Sequence, residues 1–265
     1  MGKLQDSKYL SQNQYSTPDK LQARWKTHEF AFPKVDIYHH GIESLGLKGT
    51  ESLLDVGCGD GSALRLLRSN GHKGRLAGVE LNEKMGIRSE SIDYVVGSAD
   101  ALPFEANSFD AVLSFFMLYH MADIQRTLTE WTRVLSPNGK LLVSTMGANS
   151  QPKHNALKNA IGRLLGKSAP ARFSAPFNLA NAEEQLLRQF TIDARFAYEG
   201  EFKYPTPQPY VDAFNTIRDF FEPTPTDAEW EKALRFVERT AQDEIQKTGN
   251  FTDTFTRGYF ICTPK

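Results

Sequence analysis

The chain has 265 residues, 40% of them hydrophobic, and a formal net charge of −1. That is enough apolar material for a sizeable core in a single α/β domain with insertions. The near-neutral balance carries no basic footprint for duplex DNA or bulk RNA. Its two cysteines, Cys58 and Cys262, lie far apart without metal-ligand spacing. No metal is therefore expected, and a reduced, cytoplasmic setting fits. The first residues hold no apolar stretch of the signal-peptide kind, and no run of about 18 apolar residues exists for a membrane span.

In chain order, residues 1–16 are polar and read as a loose arm ending at Tyr15. Thr17 as N-cap and Pro18 at the first helical position then mark a helix start. Leu21, Trp25 and His28 share one face of that helix, which suits either core packing or a lid. The aromatic run Phe30, Phe32 and Tyr38 leads into a second helix over 34–45, ended by Gly46, with Gly49 in the following linker. Residues 52–56 read as a buried strand. The glycine loop Gly57-Cys58-Gly59-Asp60-Gly61 and a helix over 62–68 follow. Glycines at alternate positions suit a backbone that turns sharply or lets a ligand approach closely. Strand, glycine turn and helix together open a nucleotide-binding α/β unit. The second strand, 75–81, carries Glu80 near its end, 23 residues beyond Gly57. An acid at that spacing can accept both hydroxyls of a ribose, or it is simply an exposed strand-end carboxylate. A short third strand, 93–96, runs into Gly97-Ser98-Ala99-Asp100-Ala101-Leu102-Pro103-Phe104.

The loop spacing is Asp55-x-Gly-x-Gly-x-Gly, without the third glycine position of a dinucleotide fingerprint and without a P-loop Lys-Ser/Thr pair. It resembles the first motif of the class I S-adenosylmethionine (SAM)-dependent methyltransferases. Gly97 to Phe104 resembles that family's adenine-binding loop. Ser108 to Met121 resembles its fourth strand and exit, and Arg133 to Thr145 its helix, Pro-x-Gly turn and fifth strand. The resemblance covers Gly49 to Thr145 and implies a Rossmann-like doubly wound α/β sheet of seven strands, mostly parallel with an antiparallel last strand. It implies SAM as cofactor and S-adenosylhomocysteine (SAH) as product. Carried over by position, it implies that Asp55, Gly57, Cys58 and Gly59 shape the pocket for the methionine end. Glu80 with Leu81 would hold the ribose, Asp100 and the Ala101 amide the adenine, and Phe115 would border the methionine portion. N-terminal helices often close over the cofactor in this family, which brings in Tyr15 and Arg24. Arg24, Lys34 and His39 are the upstream cations open to the SAM carboxylate. His120 matches a histidine common after the fourth strand, where it is either a substrate contact or proton acceptor, or a helix-start residue satisfied by backbone.

Beyond Gly147 the resemblance fades. A helix is expected over 155–165, a short one over 181–190 and the sixth strand over 191–204. A helical insertion follows, with helices over 209–221 and 226–246, and the last strand over 251–263. Thr226-x-x-Glu229 is a capping box with Gly249 past the far end, and Trp230, Leu234, Val237, Ala241 and Ile245 form one apolar stripe. The organisation expected is a single methyltransferase domain: a helical cap (1–48), a SAM-binding core (49–150) and a substrate-side C-terminal half (151–265).

Methyl transfer from a sulfonium needs little acid or base, in keeping with the lack of a catalytic dyad. No Asn/Asp-Pro-Pro-Tyr follows the fourth strand, no Pro-Cys nucleophile stands there, and no cysteine set suits arsenic. What remains is an O or N nucleophile on a small-molecule acceptor, in a monomer or homodimer, with His120 as the candidate catalytic residue. Trp25, Phe116, Tyr119, Phe173, Phe177, Tyr204 and Tyr210 are candidate wall residues, and such a wall suits a planar or cationic acceptor. Lys153, Lys158, Arg163, Lys167 and Arg172 form a basic tract, either a solvated helix face or the footing of an RNA or protein methyltransferase. A catalytically inactive scaffold is the third reading.

Overall fold

The computed structural model describes residues 3–17, 19–85 and 89–265. The expected helix start at Thr17-Pro18 depends on Pro18, which lies outside the described residues; the helix is described from Asp19. In chain order the helices are α1 (Ser7–Tyr9), α2 (Asp19–Lys26), α3 (Ile37–Ser44), α4 (Ser62–Ser69), α5 (Ile124–Val134), α6 (Pro152–Leu165), α7 (Ala182–Leu186), α8 (Gln208–Asn215) and α9 (Asp227–Thr248). The strands are β1 (Ala31–Phe32), β2 (Leu53–Val56), β3 (Leu76–Glu80), β4 (Asp93–Val96), β5 (Phe109–Phe115), β6 (Leu135–Met146), β7 (Phe190–Tyr204) and β8 (Phe251–Pro264).

They form one sheet in the order β1-β7-β8-β6-β5-β2-β3-β4. Strands β2 to β6 are parallel, and β8 runs antiparallel between β6 and β7. The seven expected strands are present. An eighth, the two-residue β1, pairs antiparallel with β7 at the edge. Strand order reverses between β5 and β2, the switch point at which doubly wound sheets leave a crevice for a ligand. Every residue of β2 is buried, as a central parallel strand covered on both faces requires.

The 205–250 insertion interrupts a long β7–β8 hairpin. Its α9 begins with the reciprocal capping box: the Thr226 amide donates to Glu229, and the Glu229 amide to the Thr226 hydroxyl. Trp230, Val237 and Ala241 are buried against α8, α6 and the hairpin. The helix expected over 209–221 is split into α8 and a 3₁₀ turn at Arg218–Phe220.

Two expectations are corrected. The arm is not loose: a 3₁₀ turn (Lys3–Gln5), α1 capped by the Asp6 side chain, and a π turn (Leu10–Gln14) carry it. Leu4 and Leu10 bury their side chains in the same cluster as α8 and α9. The basic tract is not a solvated face as a whole either. Lys158 is buried, Lys153 pairs with Glu244 at 2.5 Å, and Lys167 pairs with Glu229 at 3.1 Å.

Candidate active site

A cavity of about 480 Å³ runs from the C-terminal ends of β2 and β3 to the interior of the β7–β8 hairpin. Its size falls in the range of small-molecule sites. Gly57 follows β2 at φ +72°, and a Cβ there would meet the Met117 side chain at 2.4 Å. Gly59, at φ +54°, turns its amide onto the Glu80 carboxylate at 3.0 Å. The other Glu80 oxygen takes the Leu81 amide at 2.7 Å. Burial raises the Glu80 pKa, and the amides of Leu81, Gly59 and Asn82 oppose that shift. Glu80 thus clamps the glycine loop to the tip of β3, with its remaining lone pairs open to the cavity it lines.

Asp55 is 3% exposed, and its Oδ1 is buried with no hydrogen-bond partner. Burial pushes its pKa up to about 8, and the charges of Glu80 and Asp60 add to the shift. A buried carboxyl without a partner is costly for a fold to keep. Here it faces the cavity together with Glu80, which fits a site for a cationic group. Cys58 and Leu81 line the same end.

The loop after β4 is held from α5. The Trp131 indole donates to the Ala99 carbonyl at 3.0 Å, Glu130 takes the Leu102 amide at 2.7 Å, and Arg133 bonds the carbonyls of Leu102 and Phe104. These bonds set Asp100 at the cavity, where Ser98 donates to it at 2.5 Å. Ala101 is exposed and outside the lining, and its amide already donates to the Ser98 carbonyl at 3.2 Å.

The N-terminal arm and α2 roof this end. The Tyr15 hydroxyl is 3.0 Å from His120 Nε2, and His120 Nδ1 is 3.2 Å from the Leu4 carbonyl. The ring therefore donates from Nδ1 to the carbonyl and accepts from Tyr15. Burial holds the His120 pKa down at about 4. Arg24 lines the cavity with its guanidinium 5.6 Å from the Tyr15 ring centre, bonded to Gln14 and Thr216. Of the three upstream cations only Arg24 reaches the cavity. Lys34 bonds the carbonyls of His28 and Glu29, and His39 pairs with Glu43 on the surface.

Phe115 meets Tyr38 with ring centres 4.4 Å apart and the planes tilted by 41°, and Trp25 meets Tyr38 edge-on. Phe116 holds φ at +54°, a strained value for an aromatic residue, with its amide bonded to the Ser144 hydroxyl. Phe116, Tyr119, Phe173, Tyr204 and Tyr210 line the inner end. Phe177 does not: it is fully buried in the core beside β6, its carbonyl bonded by Thr145.

Sequence reading missed Arg257, which is 7% exposed and lies in the cavity wall among aromatic rings. Burial lowers its pKa, and Tyr198, Tyr204 and Tyr119 oppose that shift. The signal was present in β8, where Phe251, Asp253, Phe255, Arg257 and Tyr259 alternate onto one buried face. Charged residues in such a stripe are the informative ones. Met117 was also missed, because its contact with Gly57 crosses from β5 to β2. Among the described residues no cluster of His, Cys, Asp and Glu is arranged to hold a metal, and no helix is long and apolar enough to cross a membrane.

Residues 54–143 match a family described as methyltransferase domain. The chain is 28% identical over 178 residues to a ubiquinone/menaquinone biosynthesis C-methyltransferase, UbiE, of Shewanella piezotolerans, covering 58% of this chain and 70% of that one. It is 30% identical over 123 residues to a phthiotriol/phenolphthiotriol dimycocerosates methyltransferase of Mycobacterium tuberculosis, covering 44% and 45%. In fold it is similar to a methyltransferase candidate from Bacillus halodurans, with a TM-score of 0.59 at 16% identity, covering 85% of this chain and 97% of that one. The glycine loop, the strand-end acids and the switch-point cavity fall within or beside the matched segment. Together the matched domain, these relatives and the shared fold support a class I SAM-dependent methyltransferase.

Proposed function

We propose that this enzyme moves the methyl group of SAM to an O or N nucleophile of a small-molecule acceptor held in the inner, aromatic part of the cavity. The observation that carries this reading is the single cavity joining the strand-end acids Asp55, Glu80 and Asp100 to the chamber of Phe116, Tyr119, Tyr204 and Tyr210. SAM supplies an activated methyl group on a positively charged sulfur. The residues supply the rest. Glu80 accepts from the ribose hydroxyls with the lone pairs its backbone bonds leave over. Asp100 accepts the adenine amino group, and Asp55 answers the positive charge of the ligand. Arg24 is the cation for its carboxylate. Cys58, Leu81 and Phe115 pack against it, and Tyr15 closes the roof.

Holding nucleophile and methyl in line accounts for roughly 7–11 kcal/mol of barrier in reactions of this kind, and the roof excludes competing water. Both ring nitrogens of His120 are engaged, which favours a role in setting Tyr15 over proton transfer. The Ala101 amide is committed within its own turn, so adenine recognition rests on Asp100. An acceptor that already carries a nucleophilic O or N suits a site without a free strong base. The relatives by sequence are named as a ubiquinone/menaquinone biosynthesis C-methyltransferase and a phthiotriol/phenolphthiotriol dimycocerosates methyltransferase, which supports a small-molecule acceptor. The broken basic tract favours a small molecule over RNA. We read the chain as one catalytic unit with its cap at 1–48, its cofactor core at 49–150 and its acceptor half at 151–265.

Calorimetric titration with SAM and then SAH tests the reading. Binding of both in the micromolar range is expected, and failure of both would overturn it.

A further inference from the structure

The inner end of the cavity holds a charge that the chain does not answer. Arg257 sits on the buried face of β8 with its guanidinium carbon 4.6 Å from the Phe255 ring centre, 5.1 Å from Phe202 and 5.9 Å from Phe116. Among the described residues no carboxylate forms an ion pair with it; the polar groups beside it are the neutral phenols of Tyr198, which hydrogen-bonds it, Tyr204 and Tyr119. The one other charged side chain on its strand face, Asp253, is already committed. Its two oxygens take the Lys153 and His154 amides at 3.0 and 2.8 Å, at the start of α6. The nearby imidazoles do not compete for an anion either, since burial holds both His28 and His154 neutral at pH 7.

Taking a guanidinium out of water costs several kcal/mol. Aromatic faces return only part of that cost. The balance is left for a partner that is absent from the chain. Arginine is the side chain best shaped for a carboxylate, with two parallel N–H donors in a planar fork. Resting on this reading of the glycine-loop end as the cofactor site, we propose that Arg257 is the acceptor-recognition residue and that the acceptor is a carboxylate-bearing molecule with a planar or apolar body.

The cavity then has one cation for each of two anions. Arg24 stands at the roof, bonded to Gln14 and Thr216 and stacked on Tyr15, for the cofactor. Arg257 stands at the inner end, for the acceptor. The same placement argues against the cationic acceptor that an aromatic wall suggests from sequence. The faces of Phe202, Phe255 and Phe116 already carry a cation of the protein's own.

The test uses three probes of one shape and three charges: 4-hydroxyphenylacetate, 4-hydroxyphenylacetamide and tyramine. Each is titrated into the full-length protein, with and without saturating SAH. The anion is expected to bind at least about tenfold more tightly than the amide, with tyramine weakest. Arg257→Met should reduce that preference to about twofold or less, while its Kd for SAH stays within about twofold of wild type. Arg257→Lys should keep part of the preference, and it serves as the folded variant if the methionine variant does not fold. Three equal responses in the wild type, including three null ones, would overturn the proposal. So would a preference that survives removal of the guanidinium. A loss of SAH affinity in Arg257→Met would also overturn it, by assigning Arg257 to the cofactor's carboxylate. Wild-type protein that fails to bind SAH defeats the cofactor reading instead, and the SAH-free titrations still report on Arg257.

Discussion

Asp55→Asn separates what a buried carboxyl does to the fold from what it does for the ligand. Asp55 is the third of four residues in β2, with one oxygen unpartnered and a pKa pushed from 3.8 to about 8 by burial first and then by Glu80 and Asp60. The folded value is raised, so this acid works against stability. Below about pH 4 the group is neutral in both states and contributes nothing. Between pH 4 and pH 8 folding must take up a proton, and stability falls by about 1.4 kcal/mol per pH unit. Above about pH 8 the penalty is constant. At pH 7 the interval from the unfolded value is roughly three pH units, or about 4 kcal/mol. Asparagine has the same shape and no such linkage. The unliganded variant should therefore be more stable than wild type at pH 7, by up to about 4 kcal/mol, with the difference vanishing toward pH 4. Urea midpoints at constant m measure this. SAM binding should move the other way and weaken by about 1–3 kcal/mol, because only the wild type offers a carboxylate to the cation. Wild type should also release most of one proton per SAM at pH 7, seen by calorimetry in buffers of different ionisation enthalpy, and the variant none. Equal pH slopes of stability in the two proteins, or no proton release from wild type, would refute the reasoning.

Glu80→Ala strands the Gly59 and Leu81 amides as well as removing the ribose acceptor, so SAM affinity should fall by about 1–3 kcal/mol, with an unchanged Kd counting against the assignment. Gly57→Ala meets Met117 and a positive φ together and should cost about 1–3 kcal/mol of stability by chemical denaturation, a cost that Met117→Ala should partly relieve. His120 stays neutral down to about pH 4, so the rate should show no break between pH 5 and 8 that His120→Gln abolishes; a break lost in that variant would restore a proton-transfer role. Thr226→Ala removes the capping box of α9 and should lower stability by about 0.5–2 kcal/mol while leaving the Kd for SAH unchanged.

What could be read in the sequence was what is carried by neighbours in the chain. The glycine loop, the acid at the end of β3, the turn after β4 and the capping box of α9 each depend on residues within a few positions of one another. Their hydrogen bonds fall where the spacing puts them. Phe177, Lys158 and Arg257 were misread or missed because their surroundings are set by chain far away. Phe177 packs into the core beside β6, and Lys158 lies over the Phe173 ring. Arg257 takes its environment from β7 across the hairpin and from Phe116 at the end of β5. The arm shows the same limit in another form. A polar composition suggested a free tail, but two leucines, Leu4 and Leu10, are enough to seat it once a groove exists 200 residues later.

That seating also closes one side of the cavity. The roof is built from both ends of the chain. Lys3 and Tyr9 bond the Asp219 carbonyl at 2.9 and 2.5 Å, Lys20 pairs with the Asp219 carboxylate, and Gln14 bonds the Thr216 carbonyl. Arg24 reaches Thr216 from α2 and faces the cavity from the same place. The Lys20–Asp219 pair is about one-third exposed on both sides, and partly exposed pairs of this kind contribute roughly 0–1 kcal/mol each. Two leucines add about 1.5–3 kcal/mol apiece when fully buried. The arm is also tied to the end of β3, where the Asn82 side chain donates to the Ser11 and Tyr15 carbonyls at 2.8 Å each. β2, β3 and the loop after β4 are fixed separately, by Glu80 and α5.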